Sequence, residues 1–450
     1  MSSPAAWRGA WGLWGSTGRL ADRVRPTYPN GRGGGLARLA APLAIGLVVP
    51  ALTFLILRHE PLVAVSAFTL AVPVLTMTRP QWIGTLAVPI LLLAPVLPTV
   101  REPLLRGVAL AAAIAIGMHL AGGTLALRPA HGWIAAFAVT VVLSLMLPAL
   151  HLPTKTYRFS DAAYLLVGLA LAGLAITAPP PPGQLAVAVA GSGALVAGYV
   201  LYAGHLAGGR LVGLGLNPNY LGSLLVVPLL TGAGLAWSRR QARWLLAAAP
   251  CLAALAATKS RGALVAVAAG ALLLLISTVR RRHRPWLIAL GAVGTVLALL
   301  GALSWLDDIA LGGRSSAELD RNNSIRAHIA LVALRVAAHH PLRGIGYGMF
   351  PPYAARNAGI YLNTHNDYLR LAVEGGLAML ITFTVLLWLA LRPPHRGDLG
   401  VLRAAVFAYA VSLVFANTLA NLAITGAFWV ALGCLIARSG RARTPAPGTG

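Results

Sequence analysis

Two arginines and a histidine in the C-terminal half of the chain have side chains suited to group transfer from a phosphate-linked donor. Arg261 follows Ser260 in a polar link of two or three residues, and so short a link does not need an arginine. Arg326 follows Ser324, a residue that can cap a helix N-terminus, where free N–H groups and the helix dipole favour a phosphate. Each guanidinium offers a planar fork of donors to phosphate oxygens, so the pair suits a pyrophosphate. A histidine side chain ordinarily titrates near neutrality, which makes His365 a candidate general base for a hydroxyl nucleophile.

Other polar residues accompany this trio as candidate supporting groups: Asn217, Asn219, Ser260 and Asn366. Each feature also has a simpler interpretation. The Asn-Pro-Asn run at 217–219 is typical of a turn and cap, and Arg261 could anchor a span at the membrane interface. Arg326 could be a solvated charge, and His365 an interfacial residue with no role in chemistry.

Further polar patterns favour structural roles over chemistry. Asp367, Arg370 and Glu374 fall within about 60° on one helical face and predict a lateral ion network. The glycines at 344, 346 and 348 lack the strand and βαβ unit of a dinucleotide loop, so they predict a turn with close backbone approach. Cysteine and histidine spacing suggests no metal site. We expect neither a cofactor nor a metal.

The composition predicts an all-α membrane protein that positions these residues on helix ends. The chain is 58% hydrophobic and 10% charged, against about half and a quarter in soluble domains. Its apolar residues form runs long enough to cross a bilayer, which predicts a bundle of about 12–14 transmembrane helices. The runs fall at 39–57, 61–77, 81–99, 107–127, 132–150, 162–179, 184–203, 218–236, 242–258, 262–279, 286–306, 366–391, 401–419 and 422–437, the last two being a possible re-entrant pair.

The basic residues predict the orientation of the bundle. With a cytoplasmic N-terminus, 21 of the 36 basic residues face the cytoplasm and nine of the eleven acids face outward. Both termini are then cytoplasmic, and Arg261, Arg326 and His365 all lie on the outer side. The net charge of +25 is spread over short links, so we predict no nucleic-acid partner.

This orientation divides the chain into segments. They are a basic, disordered cytoplasmic tail (1–38), transmembrane helices 1 to 11 (39–306), an extracytoplasmic catalytic loop (307–365), the C-terminal transmembrane helices (366–437) and a short cytoplasmic tail (438–450).

The large loop is predicted to contain an amphipathic helix. Its apolar stripe is Ile325, Ile329, Val332 and Val336, with caps offered by 322–324 and an end before Pro341.

Four motifs resemble the bacterial O-antigen ligase and polymerase family. They are GLNPNYLG at 215–222, TKSRGAL at 258–264, the stretch from Asn322 to Phe350, and NTHNDYLRLAVEGGL at 363–377. The resemblance covers roughly residues 215–380, about a third of the chain. The resemblance implies a metal-independent glycosyltransferase at the outer face of the bacterial inner membrane. It implies that His365 is catalytic and that Arg261 and Arg326 hold the pyrophosphate of a polyprenyl-linked glycan donor. The acceptor is a glycan or a lipid, which leaves ligase and polymerase as alternatives.

Two other classes of function remain open. A polysaccharide transporter or lipid flippase would be favoured by broken helices, by charges near the bilayer midplane and by internal repeats. A non-enzymatic assembly or sensor protein would be favoured if His365 and the arginines were dispensable.

Overall fold

A computed structural model describes residues 74–98, 101–122, 127–150, 152, 157–278 and 316–439. In these residues the fold is all-α apart from one short antiparallel hairpin, and eight helices are long and apolar enough to cross a membrane. The all-α membrane fold is therefore confirmed. The helices and strands are α1 Gln81–Leu93, α2 Arg101–Ala121, α3 Pro129–Met146, α4 Tyr157–Thr177, α5 Pro182–Ala203, β1 His205–Ala207, β2 Arg210–Val212, α6 Pro218–Arg239, α7 Leu245–Thr258, α8 Arg261–Thr278, α9 Ser316–His339, α10 Phe350–Ala358, α11 Asp367–Leu391, α12 Gly397–Ser412 and α13 Leu422–Ser439.

The predicted apolar runs coincide with helices wherever the structure describes them, with one correction at the C-terminal end. The predicted runs at 39–57 and 286–306, most of the run at 61–77 and both predicted tails lie outside the described residues, apart from Arg438 and Ser439. The run at 401–419 was predicted too long, because α12 ends at Ser412. Residues 413–421 leave the helix and bond to the start of α11 instead.

An aromatic cluster holds the centre of the bundle together. Phe428 and Trp429 of α13 meet at 5.1 Å between ring centroids, and Trp429 also meets Phe383 of α11 and Phe137 of α3. Such pairs add about 0.5–1.5 kcal/mol each beyond the burial of their area. Gly168 of α4 lies against the indole of Trp429, where no Cβ would fit. Helix α13 is buried on nearly all sides, so it is a core helix of the bundle.

Polar contacts collect at two opposite ends of the bundle. At one end Arg239 forms an ion pair with Asp398 at 2.8 Å, and Arg128 donates to the carbonyl of Ala437. The other end, here called the hairpin end, contains the β-hairpin, the starts of α6 and α11, and the link between α7 and α8. Helix α6 joins the two ends with 22 residues, about 33 Å at 1.5 Å per residue, which matches a hydrocarbon layer of about 30 Å.

The amphipathic helix exists, but it begins earlier than predicted. Helix α9 starts at Ser316, so Asn322 to Ser324 lie inside it and do not cap it. The Ser324 hydroxyl donates to the Arg321 carbonyl, a bond made within a helix. The apolar stripe is confirmed: Ile329 and Val336 are fully buried against residues of the loop, α10 and α11.

The three glycines after α9 form the predicted turn with close backbone approach. Gly344, Gly346 and Gly348 have φ values of 65°, 113° and 73°, in the region that disfavours residues with a Cβ. A Cβ added to Gly348 would lie 2.7 Å from Cβ of Arg158 on α4. The turn therefore fits only if these positions lack side chains.

This glycine turn donates hydrogen bonds to the backbone beside a break in α11. The helix is interrupted at Gly376, where φ is 70° and ψ is −170°. The backbone amides of Ile345 and Gly346 donate to the carbonyls of Val373 and Glu374 at 2.8 and 3.0 Å. A broken helix inside a membrane protein is tolerated where buried protein groups satisfy the freed backbone. The break therefore binds the segment after α9 firmly to the bundle.

Candidate functional site

His365 occupies a strained position at the hairpin end, directly before α11. Its φ is 54°, a left-handed conformation that is uncommon for a residue with a side chain and that is found disproportionately at functional sites. The imidazole is half-buried. Burial and the nearby positive charge of Arg326 lower the pKa of His365 to about 4, so the ring is neutral at physiological pH. The structure thus brings together two of the three residues expected to do chemistry.

A short chain of hydrogen bonds fixes the backbone around His365. Asn366 is the N-cap of α11, and its side-chain oxygen accepts from the Leu369 amide at 3.0 Å. The Thr364 hydroxyl donates to the Asn366 carbonyl at 2.7 Å and accepts from the Asn417 amide group at 3.2 Å. The residues on both sides of the histidine are therefore held, which stabilises its strained backbone.

The segment 413–421 braces the same point from the other side. The Asp367 amide donates to the Leu413 carbonyl at 2.8 Å. One carboxylate oxygen of Asp367 accepts from the Thr418 and Leu419 amides at 2.7 and 2.9 Å. Sequence reasoning missed this brace because the segment was predicted to be helical, although Asn417 and Thr418 interrupt the apolar run.

Replacing Asp367 with alanine should destabilise the protein strongly. The change leaves the buried amides of Thr418 and Leu419 without an acceptor, and each unsatisfied donor costs about 1–3 kcal/mol. We expect a lower melting temperature in detergent, with a smaller loss for Asp367→Asn, which keeps an acceptor oxygen.

Asp398→Ala is the matched control for this measurement. It removes the partly exposed ion pair with Arg239 at the opposite end, and such pairs contribute about 0–1 kcal/mol. Equal losses for Asp367→Ala and Asp398→Ala would contradict the brace.

Arg261 is the first residue of α8 at the same end of the bundle, and its side chain is partly exposed. Ser260, only 3% exposed, packs against α6, where a Cβ added to Gly222 would lie 2.7 Å from Cβ of Ser260. The sequence argument placed Arg326 at a helix N-terminus, and that placement is wrong because ten residues of α9 precede it. The helix-terminus position belongs to Arg261 instead.

A buried arginine that sequence reasoning overlooked joins the elements around Arg261. Arg210 of β2 is 8% exposed and donates to the Thr258 carbonyl at 2.8 Å and to the Asn219 side-chain oxygen at 2.8 Å. Asn217 caps α6 by accepting from the Tyr220 amide at 3.0 Å. The contacts made by Asn217 and Asn219 are therefore a helix cap and an anchor for Arg210. The only sequence signal for Arg210 was a basic residue in a link between spans.

The ion network on α11 is confirmed for two of its three predicted members. Arg370 pairs with Glu374 at 3.0 Å, and its guanidinium lies 5.0 Å from the centre of the Tyr347 ring. Its second ion-pair partner is Asp161 of α4 at 3.3 Å, which sequence reasoning did not identify. Asp367 was expected in this network as a lateral partner, but its carboxylate accepts backbone amides instead.

The two halves of the hairpin end meet at Tyr220. Its phenol, on the first turn of α6, lies within electrostatic range of Asp367, Arg370 and Asp161. The starts of α6 and α11 are therefore neighbours. The polar features that sequence analysis placed on one side of the bundle do gather at one end.

Comparison with known proteins found one family model that matches part of the chain. The family model described as O-antigen ligase matches residues 246–384, a range that includes Arg261, Arg326 and His365. Arg210, Asp161 and the brace at 413–421 lie outside the matched range. No curated protein matches the chain. The chain is therefore a multi-pass membrane protein in which residues 246–384 match the family model described as O-antigen ligase.

Proposed function

We propose that this protein transfers a glycan from a polyprenyl-pyrophosphate donor to an acceptor hydroxyl, with inversion at the anomeric carbon. The observation that carries the proposal is that Arg326 lies within electrostatic range of His365, both inside the residues that match the O-antigen ligase model. A neutral imidazole near a cation suits proton removal next to an anionic leaving group.

The proposed reaction is a single substitution at the anomeric carbon, carried out by residues at the hairpin end. The acceptor oxygen forms a bond to the anomeric carbon, and its proton passes to the imidazole of His365. The bond from that carbon to the pyrophosphate oxygen breaks, and the leaving group takes the electron pair. Arg261 and Arg326 stabilise the charge that develops there, an effect that is usually a large part of catalysis. The donor bond supplies the energy, so we assign no nucleotide, metal or cofactor to the step.

Transport is the second candidate, because the break at Gly376 is a feature that transporters use for binding. In transporters, unwound carbonyls coordinate the cargo. Here the amides of Ile345 and Gly346 already occupy the carbonyls of Val373 and Glu374. The charged residues of α11 also lie in its first turns, near the hairpin end. These contacts favour a structural role for the break, so we rank transport second and a non-enzymatic assembly or sensor protein third.

We propose that the hairpin end faces outward from the bacterial inner membrane and that both termini are cytoplasmic. Reporter fusions at Arg240, Arg282 and Arg396 should then read cytoplasmic, and a fusion at Ala317 should read external. The physical reason is the bias of basic residues toward the cytoplasmic links. An internal reading at Ala317 would remove the site from the compartment where the proposed transfer must occur.

The glycan profile of intact cells tests the reaction and separates its two forms. A deletion strain that makes polymer but leaves it unattached would identify a ligase. Accumulation of single repeat units would identify a polymerase. An unchanged profile would contradict glycosyl transfer altogether.

A further inference from the structure

Arg158, in the first turn of α4, is a half-buried cation with no ion-pair partner among the described residues. Its Nε and Nη1 atoms are buried and have no hydrogen-bond partner among the described residues. Its stem packs against Gly348, and its guanidinium lies 4.7 Å from the centre of the Phe159 ring. Phe159 itself is 46% exposed. A buried charged donor left unpaired is costly, so an arginine in this position calls for an oxyanion.

The acid nearest to Arg158 along α4 forms its ion pair with another residue. Asp161 lies one turn further on, and its carboxylate pairs with Arg370 at 3.3 Å. Arg370 also pairs with Glu374, so this group of two acids and one arginine carries a net negative charge. Arg158 forms no ion pair with either acid, and its guanidinium keeps unpaired donors.

A series of contacts connects Arg158 to the proposed site. Gly348 belongs to the turn that completes the break in α11, and Arg370 lies on the first turn of that helix. The Arg370 amide donates to the carbonyl of Asn366, which directly follows His365. Arg158 thus lies at the hairpin end, connected to the segment of His365 through the glycine turn and the first turn of α11.

The balance of charge indicates what Arg158 would bind. A pyrophosphate between two organic groups carries one negative charge on each phosphate, and Arg261 and Arg326 supply one positive charge each. A third arginine matches a further negative charge on the substrate. The exposed ring of Phe159 beside it offers an apolar face to a sugar ring.

We propose that Arg158 and Phe159 form a subsite for an acidic sugar of the glycan donor, with Arg158 binding its carboxylate or phosphate. This inference rests on the proposed function and specifies its substrate class. A charge-assisted hydrogen bond from the guanidinium would select acidic glycans over neutral ones.

The test measures binding of two matched donors that differ in one group. They are short-chain polyprenyl pyrophosphates that carry glucose or glucuronic acid, added to the full-length protein in detergent. We expect the wild type to prefer the glucuronic acid donor. Arg158→Gln should weaken binding of that donor by about 10- to 100-fold, the usual size of a charged hydrogen bond, and bring the ratio of the two affinities close to one.

Two further variants keep the measurement decisive. Arg158→Lys retains the charge and most of the stem, and it should keep part of the preference even if Arg158→Gln folds poorly. Arg106→Gln removes an exposed arginine of α2 and should leave the preference intact. An equal loss for both donors, as expected for pyrophosphate or membrane-lipid contact, overturns the subsite, and so does an unchanged preference. Failure of the wild type to bind either donor would instead contradict the proposed function.

Discussion

His365→Ala should abolish glycan transfer while leaving donor binding in place. The variant loses the group that accepts the acceptor's proton, but Arg261 and Arg326 still hold the pyrophosphate. General-base assistance typically contributes about 10²- to 10⁴-fold, so slow residual turnover is expected in long incubations. The measurement is a reconstituted transfer assay with a lipid-linked donor, run beside a donor-binding assay on the same protein.

The rate of transfer should fall on the acid side only at unusually low pH. The pKa of His365 is lowered to about 4 by burial and by Arg326, so the free enzyme keeps a neutral base until the pH falls to about that value. A bound pyrophosphate adds negative charge beside Arg326, which favours the protonated imidazole and raises the pKa again. The acid limb of kcat should therefore lie at higher pH than the acid limb of kcat/KM.

The opposite outcomes are clear for both measurements. Near-wild-type transfer by His365→Ala would exclude the histidine as the base. Loss of donor binding in parallel with transfer would indicate that the residue only holds the loop, as its left-handed backbone and flanking hydrogen bonds also allow. Coincident acid limbs would contradict the placement of pyrophosphate next to Arg326.

Local patterns predicted the helices and the polar end of the bundle. Uninterrupted apolar runs of this length are helical in a bilayer, because a helix satisfies all its backbone N–H and C=O groups within the segment itself. The stripe from Ile325 to Val336 predicted which face of α9 is buried, since helical periodicity alone determines that face. The glycine spacing at 344–348 predicted close backbone approach for an equally local reason.

Features that depend on distant partners were not predictable from the sequence. Asp161 and Arg370 are separated by 209 positions, and neither has a local signal that names the other. The amides of Thr418 and Leu419 donate to Asp367 on another helix, α11. Hydropathy carries no signal for these bonds, so the predicted apolar run continued past the end of α12. The start of α9 was misjudged because Asn322 to Ser324 are good caps, but they are also tolerated inside a helix whose stability comes from packing.

Lysine at either candidate pyrophosphate-binding arginine should impair transfer although the charge is kept. Lysine lacks the planar fork that binds two phosphate oxygens at once. Each lost charge-assisted hydrogen bond should weaken donor binding by about 10- to 100-fold in Arg261→Lys and Arg326→Lys. The measurement is donor affinity and kcat/KM on variants that express at wild-type levels.

Arg335 supplies the matched control on the helix that carries Arg326. Both side chains are exposed, but Arg335 projects about 180° away from Arg326 at 100° per residue, so Arg335→Lys should bind donor normally. Arg326→Gln adds an independent readout, because removing the charge raises the pKa of His365 and moves the acid limb of kcat/KM to higher pH. Arg326→Lys keeps the charge and should leave that limb in place while still weakening binding. Equal damage at Arg326 and Arg335 would mean that α9 needs only general basicity, and an unmoved acid limb in Arg326→Gln would separate the arginine from the histidine.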